Sequence, residues 1–261
     1  MSELAKNHKP FAVIGAGFIG SEIAAALAMN GKEVFLIENG SGIGWRVFPQ
    51  DIVDYLNELY RSKGVTVLTH CNIKDITKQG SAHQIIFQGE QTLLVDGVVS
   101  GVGVRPNIPF AEKAGIFIED GIKVNSYLET SAPDIFAAGD VATFHSPALD
   151  KTLRVEHNDN AKKMGMIAGM NMAGGCQEYD YLPMFYSDLF EVGYEAVGLI
   201  DARLDPKVIW KEEYQRGVIY YRNENIVKGI LLWNEWGKID LAREIIKKQK
   251  WIDEKDLETL I

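Results

Sequence analysis

Two cysteines, Cys71 and Cys176, are all the thiol chemistry that this 261-residue chain contains. They stand far apart, with no CxxC pair and no metal-ligand spacing, so the sequence shows neither a dithiol redox centre nor a zinc site. Each reads as a small core or surface residue rather than a nucleophile. The five histidines, His8, His70, His83, His145 and His157, are isolated, and only His157 has neighbours of chemical interest. No Tyr-x-x-x-Lys pair or comparable acid–base set is present to let a bound nicotinamide reduce an alcohol or ketone directly. That absence suggests that any hydride goes to another cofactor, and makes a direct NAD-dependent dehydrogenase a weak reading. No apolar run approaches the length of a membrane span. Lys and Arg number 27 against 36 Asp and Glu, a net charge of -9, and the basic residues are scattered. Nucleic acid and anionic membranes are therefore not expected partners. The opening MSELAKNHKP has no apolar core, which speaks against a secretory signal peptide and for a cytoplasmic protein.

What remains is ordinary globular material, 46% apolar and 24% charged, enough for one large domain or two modest ones. The chain is organised around Phe11 to Glu38. Phe11 to Ile14 is a short apolar run of the kind expected for a buried parallel strand. Gly15-x-Gly17-x-x-Gly20 follows, with Phe18 and Ile19 inside it. In such a turn the first glycine permits the tight bend, the second lets backbone approach a pyrophosphate, and the third allows close helix–strand packing. Ser21 to Met29 has helical spacing, and free amides at a helix start favour anions. Val34 to Ile37 is a second strand, and Glu38 stands where an acid would bind a ribose. The three glycines could instead serve only a helix–strand contact, and Glu38 could be a solvated strand end. Glu38 favours NAD over NADP, since a carboxylate repels a 2′-phosphate, while the nearby Arg46 could soften that preference.

Beyond this unit the pattern predicts a loop at 40–50, then a helix over 51–62 with Ile52, Tyr55, Leu56 and Leu59 inward. A strand is expected at 65–68, a small meander over 72–99, and a last parallel strand ending at Ser100. Gly101-Val102-Gly103 would border the nucleotide crevice or simply form a turn. Further on come a short helix near 108–116, a hairpin around Glu119-Asp120-Gly121 and a strand at Ile135 to Ala138. Gly139 would then present Asp140 as a hydroxyl acceptor, turn residue or helix cap. Residues 141–154 read as loop and 156–173 as a Met-, Ala- and Gly-rich helix. From about residue 179 the chain changes to alternating, aromatic-bearing strands, with RNENI as a hairpin turn, followed by an amphipathic helix over 238–248 and a short one at the end. This tail is a second, α+β unit.

Taken together, GAGFIGSEIAAALAMNGKEV, SGVGVRPN, TSAPDIFAAGDVA and RVEHNDNAKKMGMIAGMNMAGG resemble the FAD/NAD-dependent pyridine nucleotide-disulfide oxidoreductases. Within that superfamily the likeness is to the apoptosis-inducing-factor-like branch and its ferredoxin-reductase relatives. MFYSDLFEVGYEAVGLID and GVIYYRNENIVKGILLWNEWGKIDLAREII are similar to that branch's C-terminal domain. The resemblance implies a doubly wound α/β NADH-binding domain over 1–104, the second half of an FAD-binding domain over 105–178, and a C-terminal α+β interface domain over 179–261. It implies that Gly15, Gly17 and Gly20 belong to the NADH turn, and that Glu22 lies near the nicotinamide. Glu38 would hold the adenosine ribose, and Gly103 would sit beside the nucleotide. With Gly139 before it, Asp140 would hold the flavin's ribityl chain. Glu156 and His157 would face the flavin ring, with Phe185 and Tyr186 near it. The implied chemistry is hydride transfer from NADH to FAD, then electron transfer to an acceptor, which could be a protein.

One departure is large: relatives of this kind begin with a separate strand-Gly-x-Gly-x-x-Gly-helix for the ADP half of FAD, and this chain shows only one such turn. The expectation is a fragment or one subunit of the whole enzyme, completed by a partner chain, with exposed apolar surface favouring association, including with itself. The alternative is a non-catalytic NAD-binding redox sensor or assembly module that has lost FAD.

Overall fold

The computed structural model describes residues 10–261; the stretch read above as lacking a leader, together with His8, lies outside the described residues but for Pro10. Packing divides the described residues into two compact units. The first holds the described residues up to Gly103 with 187–193 and 201–203, and the second holds 104–186, 194–200 and 204–261.

In the first unit, Phe11–Ile14 (β1) is buried along most of its length, as a parallel strand covered on both faces must be. Phe18–Met29 (α1), Val34–Ile37 (β2), Gln50–Ser62 (α2) and Val65–Leu68 (β3) follow in turn. Ile73–Gln79 (β4), Ala82–Phe87 (β5) and Thr92–Val95 (β6) form a separate antiparallel meander before Gly97–Ser100 (β7) returns to the main sheet. The main sheet is parallel with order β3-β2-β1-β7, Phe11 lying opposite both Val34 and Gly97. Strand order reverses at β1, and open α/β sheets bind ligands at the carboxyl ends of strands flanking such a reversal.

The inward face of α2 differs from its expected set. Ile52 and Leu56 are buried as predicted, but Val53, Asn57 and Tyr60 join them, while Tyr55 and Leu59 are only half-buried. Two polar reaches turn the face: the Tyr60 hydroxyl donates to the Ser21 carbonyl at 3.0 Å, and Asn57 bonds the loop described below.

In the second unit, Pro109–Lys113 (α3) precedes Ile122–Lys123 (β8), Ala142–Ser146 (β9) and Lys151–Leu153 (β10), which make a three-stranded sheet with β9 central. Residues 141–154, expected as loop, thus hold a hairpin. Thr143 and Ser146 are buried in β9 beside Ala142 and Phe144, so polarity does not alternate with burial and the pattern hides the strand. Ile135 to Ala138, expected as a strand, makes one isolated bridge, Phe136 to Glu129. With no further strand beside it among the described residues, no ladder can form, and Ile135 stays exposed. The hairpin expected around Asp120 shrinks to one bridge, Ile118 to Ile122, because Ile122 and Lys123 pair in parallel with β9 instead.

Asn158–Met172 (α4) begins at a cap made by His157. Met184–Leu189 (β11), Val192–Gly198 (β12), Asp205–Glu212 (β13), Arg216–Asn223 (β14) and Ile226–Trp233 (β15) form a sheet of order β11-β12-β15-β14-β13. The β14–β15 turn places Glu224 and Asn225 at φ 50 and 64, the conformation that a two-residue hairpin turn demands. Ile239–Lys247 (α5) buries Ala242, Ile245 and Ile246 in the same core as Val218, Ile230 and Leu232. A short 3₁₀ helix, Glu254–Thr259, follows.

Candidate functional site

In the first unit the glycine turn joins β1 to α1. Gly15 has φ +91, and a Cβ there would stand 2.6 Å from the Gly101 carbonyl oxygen. A Cβ on Gly20 would stand 1.9 Å from the Gly15 carbonyl oxygen. Both glycines are therefore demanded by the fold itself. Gly17 is different: its φ is -76, and a Cβ there would meet nothing within 4 Å among the described residues. Neither backbone conformation nor packing among the described residues requires a glycine at that position. Gly17, Phe18 and Ile19 are all exposed, and no side chain caps α1. Gly103, at φ +96, likewise has no described atom within 4 Å of the place a Cβ would take.

Glu38, at the end of β2, is only 7% exposed. Its Oε2 accepts from the Ala16 amide at 2.7 Å, and its Oε1 accepts from the Gly40 amide at 3.0 Å and the Trp45 indole at 3.2 Å. The structure thus brings the acid directly onto the glycine turn. The loop carrying Trp45 is pinned as well. Asn57 accepts from the Ile43 amide and donates to the Ser41 carbonyl, and Gly44 donates to the Ala16 carbonyl at 2.9 Å. Glu22, one turn along α1, accepts from the Ser187 hydroxyl at 2.6 Å rather than from any group of the turn.

In the second unit Gly139, at φ +78, lets the Gly139–Val141 turn lie against α4, where an added Cβ would stand 3.3 Å from that of Ala161. Asp140 is exposed, and its carboxylate has no hydrogen-bond partner among the described residues. Arg154 connects the candidates around it. Its guanidinium donates to the Asp140 carbonyl at 3.0 Å, pairs with Asp120 at 3.2 Å and bonds Glu156. Nδ1 of His157 accepts from the Asp159 amide, which places the ring proton of a neutral imidazole on Nε2. The ring meets Tyr186 edge-on at 5.3 Å and Phe185 at 6.5 Å. Asp140, Glu156, His157, Phe185 and Tyr186 therefore belong to one unit, while the glycine turn, Glu22, Glu38 and Gly103 belong to the other.

Sequence reasoning passed over Trp45, Asn57, Arg154 and Ser187. The last three act across separations with no local pattern; Trp45 had a signal, an indole in a glycine-rich loop just after Glu38. No helix among the described residues is long and apolar enough to cross a membrane.

Known proteins share this arrangement. Residues 1–165 match the family described as pyridine nucleotide-disulphide oxidoreductase. Residues 168–212 and 205–248 match the C-terminal family of mitochondrion-associated apoptosis-inducing factor. Apoptosis-inducing factor 1, mitochondrial, of Dictyostelium discoideum is 33% identical over 267 residues, covering 94% of this chain and 50% of its own. Putidaredoxin reductase of Pseudomonas putida is 32% identical over 190 residues, covering 72% and 45%. A crystal structure of a ferredoxin reductase from Rhodopseudomonas palustris matches with a TM-score of 0.88 at 29% identity, covering 97% of this chain and 63% of that one. The chain spans about half the length of the curated relatives it matches. A glycine turn bonded to its acid, a parallel sheet reversing at β1 and a family likeness over residues 1–165 lead to one conclusion: this protein belongs to the pyridine nucleotide-disulphide oxidoreductase family.

Proposed function

We propose that this chain is the nucleotide-binding part of an NADH-dependent flavoprotein oxidoreductase, with residues 1–104 taking NADH, 105–178 contributing to the flavin site and 179–261 forming an interface domain. The observation that carries the reading is Gly17. A glycine that neither φ nor packing requires, exposed at an uncapped helix start beside a buried acid, has its reason outside the chain. A dinucleotide pyrophosphate supplies that reason. In this reading the α1 amides hold the phosphates, and Glu38 holds the adenosine ribose. Asp140 fits a flavin hydroxyl, since its exposed carboxylate has no partner of its own among the described residues, and Glu156 and His157 mark the start of the helix that would face the flavin. When bound, NADH would supply a hydride and FAD would accept it. The protein's work is orientation: Arg154 fixes Glu156 beside the Asp140 turn, and His157 orders the first turn of α4.

The relatives' names also motivate an electron-acceptor protein of the ferredoxin type and a partner chain completing the flavin site. This reading also puts the protein in the cytoplasm. Titrating NADH into the purified chain, and recording its visible spectrum with and without a co-expressed flavin-binding segment, tests the proposal. NADH binding and a yellow complex bleached by NADH are expected; a chain that binds no NADH refutes it. The alternative, an NAD-binding module without catalysis, draws on the single glycine turn of dinucleotide-binding spacing that the chain carries, where its relatives' kind of flavin domain needs a second. Tight NADH binding with no flavin complex would favour it.

A further inference from the structure

We infer that Trp45 occupies the ribose position of Glu38 and must swing away for a nucleotide's ribose diol to bind, so that this residue sets affinity for the adenosine end. The inference rests on the NADH reading above. An ionised carboxylate offers about four acceptor sites. Glu38 already uses three of them, on Ala16 N, Gly40 N and Trp45 Nε1. A ribose diol donates two hydrogen bonds, and one open site cannot take both. One donor has to leave.

The geometry selects which. Ala16 N and Gly40 N are backbone amides. The first lies inside the glycine turn, and the second adjoins β2 in a segment whose carbonyl accepts from the His70 amide at 2.9 Å. Neither can withdraw without unmaking the turn or the sheet end. Trp45 Nε1 is the longest of the three contacts at 3.2 Å, and it belongs to a half-buried side chain that can rotate. The indole lies flat enough on Gly40 that an added Cβ there would stand 2.3 Å from the ring, and the Arg46 guanidinium is 4.9 Å from its centroid. The three atoms nearest to such a Cβ all belong to the indole, so a glycine at 40 makes room for it. The loop backbone is meanwhile fixed by Asn57 and by the bond from Gly44 to Ala16. Rotation about the Trp45 side chain therefore opens Oε1 of Glu38 without moving the turn. The indole satisfies a buried carboxylate while no ribose is present, which avoids leaving that charge with an unmade hydrogen bond.

Trp45→Phe tests this, because it removes the N–H and keeps an aromatic ring. In the full chain it should bind NADH about three- to tenfold more tightly than wild type, since the competing donor is gone. In wild type, the indole N–H resonance that disappears in the W45F spectrum should shift on saturation with NADH. Equal or weaker NADH binding by W45F overturns the inference, as does a Trp45 resonance that stays fixed while the Gly17 amide responds to NADH. If neither chain binds NADH, and the Gly17 amide is silent as well, the NADH reading itself fails.

Discussion

The two units solve the problem of holding a site together by different means. In the first, the candidate site is made of backbone: glycines that touch carbonyl oxygens, and one buried acid whose partners include two main-chain amides. In the second, it is tied by long charged side chains. Arg154 bridges Asp120, Glu156 and the Asp140 carbonyl, while Arg243 bonds the Leu182 carbonyl and pairs with Asp240. The sheet beyond carries a further cluster, in which Glu235 takes Arg216, Lys211 and Lys238. Backbone contacts tolerate no change of volume but ignore salt and pH. Charged ties accept substitution more readily and respond to both.

The sharpest way to test that contrast is a pair of glycine substitutions three residues apart. Gly20→Ala drives a Cβ into the Gly15 carbonyl and should destabilise the chain by about 3 kcal/mol or more in urea unfolding. Gly17→Ala should cost no more than about 1 kcal/mol of stability, yet weaken NADH binding by roughly tenfold or more. If both variants lose stability equally, Gly17 is a packing residue and the ligand reading loses its support.

Glu38→Ala comes next. It strands three donors and should weaken NADH binding by about 1–3 kcal/mol, with some loss of stability measurable in the same unfolding experiment. Unchanged NADH affinity would place the ribose elsewhere. Arg154→Met removes the tie in the second unit and should cost about 1 kcal/mol, while NADH affinity stays at the wild-type value. A matching loss of NADH binding would mean that the two sites are not built independently.

The smallest effect is a dependence on pH. The hydrogen bond from Arg216 holds the Glu235 carboxyl below the ordinary glutamate range, burial works in the opposite direction, and Lys211 adds to the lowering. A carboxyl whose pKa is depressed by folding contributes stability above its unfolded value, about 4.3, and that contribution fades as pH falls through the folded value. Unfolding midpoints should therefore drop below about pH 4.3 in wild type and drop less in Glu235→Gln. Identical acid profiles would remove Glu235 from the account.

The same contrast explains what could be read from sequence. The local structure of Phe11 to Glu38 was legible because strand, turn, helix and acid are contiguous and each element follows from its own short stretch. Paired strands in the tail and the apolar face of α5 were legible from alternation and helical spacing. Arg154 was not, since its partner Asp120 lies 34 residues away and an arginine at the end of a stretch read as loop announces nothing. The β9–β10 hairpin was hidden by buried Thr143 and Ser146, and Ile135 to Ala138 looked like a strand because composition cannot reveal whether a neighbour is there to pair with. Asn57 was passed over because amphipathic spacing counts only apolar residues, yet its amide organises the loop that carries Trp45.

The bond from Ser187 to Glu22 has a practical consequence for anyone who would cut this protein in two. Tyr60 faces Phe190, and Lys63 pairs with Glu191, so residues far down the chain complete the surface of the first unit. A piece ending at Gly103 would keep every strand of the parallel sheet and still lose those partners. The dissection that respects packing has to carry the 187–193 hairpin tip along, by a linker or by circular permutation.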